Sequence, residues 1–143
     1  MQHRELVLPM FAMVLLTVVV FVANLAVRIR AVQAGAVKPN YFKIFDGKGL
    51  VPPERLVQLK NHIDNLFQVP VLFYAVCLAV IATQVVPPHT LELAWAFVAA
   101  RVAHSLIHTT YNKVVHRLAA FLLSNVILMV MWIRLVLALT TPT

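Results

Sequence analysis

Arg101, His104, His108 and Tyr111 follow one another at spacings i, i+3, i+7 and i+10. On an α-helix that spacing puts all four on one face. A second series, Gln58, Asn61, Asn65 and Gln68, repeats the same spacing, with Asp64 beside it. Guanidinium, imidazole and amide groups converging from two helices suit an anionic ligand. Two other chemistries fit parts of the pattern. His104 and His108 have the i, i+4 spacing of metal ligands, and His104 would serve as a haem axial ligand. A zinc or di-iron site needs further carboxylate or His ligands, and the sequence offers neither the zincin Glu nor a second His pair. No metal is expected. Cys77, the single cysteine, lies in an apolar run and is read as packing, not as a nucleophile.

The elements that must hold these side chains are membrane helices. Of 143 residues, 62% are hydrophobic and 12% charged, and the mean hydropathy is +0.87. Soluble domains run to about 45–50% apolar. The three glycines, Gly35, Gly47 and Gly49, fall in one segment, so the rest reads as long helices and not as the short strands of a barrel. One domain, residues 1–143, is expected. The net charge of +7 would suggest nucleic acid in a soluble protein. Here the basic residues flank apolar spans, so the charge is read as membrane orientation, with no nucleic-acid partner.

Four spans are predicted, at about residues 6–28, 54–86, 89–111 and 115–139. The first is uncharged from Leu6 to Val27 and is followed, not preceded, by Arg28 and Arg30. That order argues against a cleaved leader. The second span opens with polar residues, and Pro70 is placed to kink it near the membrane entry. Asn24 is expected to hydrogen-bond between helices, and Trp95 and Trp132 to pack or meet lipid. The first connection and its flanks carry Arg28, Arg30, Lys38, Lys43, Lys48, Arg55 and Lys60, the third carries Lys113 and Arg117, and the second carries no Lys or Arg. The positive-inside rule then puts connections one and three in the cytoplasm and both termini outside. Arg101 lies roughly 15 Å from the cytoplasmic end of its helix. A mid-membrane Arg costs at least ~2.5 kcal/mol, so it must face the bundle interior and find an acceptor.

At these residues the sequence resembles the MAPEG family (membrane-associated proteins in eicosanoid and glutathione metabolism). Arg101-Val-Ala-His104-Ser looks like the helix-three signature of prostaglandin E synthase-type members, and the spacing onward to Arg117 matches as well. Asn61-His-Ile-Asp64-Asn65, followed by Pro70, is similar to the family's N-x-x-E-N…P segment. Length, spans and orientation extend the resemblance over essentially the whole chain.

The resemblance implies an all-α integral membrane protein, a four-transmembrane-helix up-down bundle assembled as a homotrimer among membrane lipids. It implies glutathione as co-substrate between subunits near the cytoplasmic face, with Lys38, Asn61, Asp64, His104 and Arg117 around the tripeptide. The striped positions Asn65, Gln68, Arg101 and Tyr111 complete the expected binding set, with Arg101 tying helix three to the helix-two carboxylate. Arg117, helped by neutral His108, would stabilise a thiolate. Conjugation of lipophilic electrophiles or reduction of lipid peroxides, at a bacterial inner membrane with periplasmic termini, is the implied activity. The sequence departs from the family pattern in three places. The helix-two Glu is Asp64, or Gln68 in an alternative register. The Tyr one turn after the histidine is His108. The Ser and Tyr after the helix-four arginine are Leu118 and Phe121. These departures give the alternative: a catalytically silent membrane scaffold, or an accessory subunit of a larger membrane complex.

Overall fold

A computed structural model describes residues 2–44 and 51–141. Gly47, Lys48 and Gly49, counted above in the first connection, lie outside the described residues. A short α1 (Gln2–Glu5) precedes α2 (Val7–Gln33), and a one-turn α3 (Tyr41–Ile44) follows it. Then come α4 (Glu54–Leu66), α5 (Val69–Thr83), α6 (Thr90–Thr109) and α7 (Val114–Thr140). Among the described residues, four helical units are long and apolar enough to cross a membrane: α2, α4 with α5, α6 and α7. They form an all-helical, up-down, four-helix membrane bundle. The 27 residues of α2 reach ~40 Å at the α-helical rise, more than the ~30 Å hydrocarbon core.

The second crossing is broken. α4 ends at Leu66 and α5 begins at Val69, with Gln68 at φ −97° and ψ −83° between them. Pro70, in the first turn of α5, has no N–H for the Leu66 carbonyl, and its ring crowds that oxygen. The chain therefore passes through tighter contacts, Gln68 N–H to Asn65 O at 3.4 Å and Phe67 N–H to Asp64 O at 3.3 Å. The proline sited for a kink thus ends one helix and starts another.

α7 packs along α6 and α5, and α4 packs along α2 and α6. The main core joins Met13 and Val20 of α2 to Phe73, Val76, Cys77 and Val80 of α5, Phe97 of α6, and Leu128, Met131 and Leu135 of α7. Phe73 and Phe97 stack with centroids 4.4 Å apart and planes 11° apart, an arrangement worth ~0.5–1.5 kcal/mol beyond area burial. Cys77 is buried in this core. Trp132 Nε1 donates to the Leu72 carbonyl at 3.3 Å, tying α7 to α5. The outer surface is apolar too: Val18, Val19 and Val22 of α2 and Val126, Met129 and Ile133 of α7 are exposed. Such a surface is satisfied by lipid or by another membrane chain. Asn24 is buried, yet its Nδ2 has no acceptor among the described residues, so the interhelical bond expected of it is not made among them.

Candidate functional site

A pocket of ~310 Å³ opens where α4 and α7 flank α6. Asn61 and Asn65 line it from α4, His104 and His108 from α6, and Val114, Arg117, Leu118 and Phe121 from α7. It lies at the end of the bundle that carries the basic α4 start and the α6–α7 turn. The turn itself is compact. α6 ends at Thr109 and α7 begins at Val114, with Asn112 at φ 49°, in the left-handed region that Asn tolerates. Asn112 Oδ1 accepts from Arg117 Nη1 at 3.0 Å, so the turn fixes the guanidinium. The Arg117 carbonyl lies 3.1 Å from His104 Nδ1. A carbonyl only accepts, so Nδ1 carries the proton and, in the neutral ring, Nε2 keeps a lone pair. That Nε2 is buried and has no partner among the described residues.

Arg101 sits beneath this layer, with no exposed surface. Its Nη2 donates to Asn65 Oδ1 at 2.5 Å and to the Asn65 carbonyl at 3.3 Å. The break before Pro70 presents that carbonyl, since Asn65 lies in the last turn of α4. The acceptor expected for Arg101 is found on α4, but it is Asn65 and not the Asp64 carboxylate. Asp64 lies ~100° further round the helix, is exposed, and pairs with Lys60 at 2.7 Å. Arg101 Nε and Nη1, although buried, have no partner among the described residues.

The structure therefore brings together Asn61, Asn65, Arg101, His104, His108 and Arg117. Four other expected residues stand apart. Asp64 faces out with Lys60. Gln68 falls after the helix break, so its i+10 spacing from Gln58 no longer places it on the Asn61–Asn65 face, and it is exposed. Tyr111 lies beyond the end of α6, is exposed, and meets His116 Nδ1 through its hydroxyl at 3.2 Å. Lys38 is exposed in the connection after α2. Gln58, the first member of the α4 series, donates to the His108 carbonyl and so straps α4 to α6.

One residue was missed. His62 is fully buried, with its ring centroid 4.7 Å from that of His108 and 5.7 Å from that of His104. Neither of its ring nitrogens has a partner among the described residues. The signal was present: Leu59, His62 and Leu66 stand at i, i+3 and i+7 and are all buried, so an imidazole occupies a seam that is otherwise apolar. Among the described residues no group of three or more His, Cys, Asp or Glu side chains is arranged to hold a metal ion. The layer is cationic and imidazole-rich, with no carboxylate among the lining residues, and Leu118 and Phe121 make its α7 wall apolar. Chemically it can bind an anion, present a lone pair at His104 Nε2, and place an apolar group beside both.

The model of the MAPEG family matches residues 6–137, nearly the whole chain. No curated protein and no solved structure matches.

Proposed function

The chain belongs to the MAPEG family, and from that premise we propose that it binds glutathione in the α4–α6–α7 pocket and transfers it to lipophilic substrates. The supporting observation is the pocket itself: amide, imidazole and guanidinium groups line it, and two of its ring nitrogens, His104 Nε2 and His108 Nδ1, have no partner among the described residues. Buried polar groups are nearly always hydrogen-bonded, so these atoms call for polar atoms from elsewhere. Two carboxylates and a peptide backbone supply them. Arg117, held by Asn112, stands at the pocket wall and stabilises the thiolate. The thiolate sulfur then forms a bond to an electrophilic carbon, and the displaced group leaves with the electron pair. Lipid peroxides are the second substrate class. Leu118 and Phe121 give the apolar group its contact surface, and the bilayer supplies it from the side.

The same reading assigns a homotrimer in a bacterial inner membrane, with the pocket end in the cytoplasm and both termini in the periplasm. The clustering of Lys and Arg at that end supports the orientation, and the exposed apolar faces of α2 and α7 support contact with lipid or with other copies. The test is turnover of glutathione with an electron-poor aryl halide by purified protein. Arg117→Ala abolishes it while the oligomer survives. Unchanged turnover in that variant removes the mechanism.

A second reading, a silent scaffold or an accessory subunit of a larger membrane complex, rests on the same α7 wall. Leu118 and Phe121 offer no hydroxyl to the thiol or the substrate. Stoichiometric co-purification with a larger membrane enzyme, together with no turnover, favours it.

A further inference from the structure

The opposite faces of α4 and α6 line a second hollow. This groove of ~250 Å³ lies between α2, α4 and α6. Leu16, Val19, Val20 and Ala23 of α2, Leu59 of α4, and Val102 and Leu106 of α6 make its apolar wall. Val19, Ala23, Val102 and Leu106 are exposed, so the groove opens sideways toward the membrane interior. Its charged end is at Arg55, an exposed residue in the first turn of α4. Arg55 Nη1 donates to the Thr109 carbonyl at 2.7 Å, which pins the guanidinium to the end of α6. One of its five donors is used there. Inside the groove, Ser105 Oγ is buried and has no partner among the described residues.

An apolar slot parallel to the helices, capped by one cation at the level where α4 begins and α6 ends, has the layout of a membrane lipid: chain inward, charge at the surface. We propose that this groove holds one acyl chain of an anionic phospholipid, its phosphate on Arg55. The leaflet is the one at the basic end of the bundle. A zwitterionic headgroup carries its own cation and gains less from Arg55. The site is separate from the pocket, which lies on the α7 side of α6, and its occupancy does not depend on glutathione chemistry.

The experiment is native mass spectrometry of the purified protein, reconstituted with equal amounts of phosphatidylglycerol and phosphatidylcholine and then extracted in mild detergent. One phosphatidylglycerol per chain is retained, favoured about tenfold, equal to ~1.4 kcal/mol. Arg55→Gln brings the ratio close to one. Ala23→Phe fills the slot and removes the retained lipid; if that variant does not fold, Val102→Phe makes the same test from α6. Equal retention of the two lipids overturns the proposal, as does a preference that survives Arg55→Gln. So does efficient cross-linking between copies through Val102→Cys in a Cys77→Ser background, because a second copy would then occupy the groove.

Discussion

Arg101 reaches both the side-chain and the main-chain oxygen of Asn65, at 2.5 and 3.3 Å, through a single guanidinium nitrogen. Two predicted spans are thereby joined deep in the bundle by a charge-assisted contact. Removing one partner of such a contact is asymmetric. Arg101→Met takes the charge away and leaves Asn65 short of a donor, which costs ~1–3 kcal/mol. Asn65→Leu leaves the buried charge with only the weaker main-chain acceptor at 3.3 Å and costs more, ~3–5 kcal/mol by analogy with broken buried pairs. Thermal unfolding in detergent therefore ranks wild type above Arg101→Met, and Arg101→Met above Asn65→Leu. The reverse order of the two variants contradicts the assignment of Asn65 as the principal acceptor.

Pro70 makes the break that exposes the Asn65 carbonyl. Pro70→Ala restores an N–H for the Leu66 carbonyl and allows α4 and α5 to join. Thermal stability is expected to hold within ~1 kcal/mol, because the regained helix hydrogen bond offsets the freedom that losing Pro70 gives the unfolded chain, while glutathione affinity falls by roughly fivefold, ~1 kcal/mol, as Asn61 and Asn65 rotate with the healed helix. Equal affinity in the two proteins would show that the break does not set the pocket.

His62 tests whether the buried imidazole layer belongs to the site or to the core. His62→Leu replaces a fully buried ring that has no hydrogen-bond partner among the described residues by an apolar side chain, a change that is nearly neutral or stabilising for folding. Ligand affinity should drop by a factor of about ten, ~1.4 kcal/mol, if His62 reaches the ligand through His108 or a bridging water. A variant that is both stable and unchanged in binding assigns His62 to packing alone.

The four-helix membrane architecture was legible because hydropathy reports it directly, and the seam Arg101, His104, His108 was legible because α6 runs unbroken through it. Legibility failed where the helix stops. Spacing rules carried Gln68 onto the Asn61 face and Tyr111 onto the His108 face, but the first lies past the Pro70 break and the second past the end of α6. Asp64 stands at the position of the family's helix-two Glu, yet a carboxylate one residue before Asn65 points ~100° away from it, toward Lys60. His62 is hard to read from the sequence because it interrupts an apolar pattern instead of forming a polar one. The apolar wall made by Leu118 and Phe121 was visible as a departure from the family pattern, and the structure places both side chains at the pocket.

Orientation is open to chemical labelling. In a Cys77→Ser background, Lys113→Cys in the α6–α7 turn should react with a membrane-impermeant maleimide only after the inner membrane is opened. His89→Cys, in the opposite connection, should react in intact spheroplasts. Both positions are exposed. Labelling of Lys113→Cys in intact spheroplasts would invert the topology and put the pocket outside.

Everything proposed for the pocket beside Arg117 depends on its holding glutathione. The most direct test is calorimetric titration of glutathione into the purified protein, with oligomeric mass measured by light scattering on the same sample. Saturable binding to a homotrimer, lost in Arg117→Ala at unchanged mass, is the predicted result. A folded homotrimer that takes up no glutathione at millimolar concentration, or an Arg117→Ala protein that binds like wild type, would contradict the account.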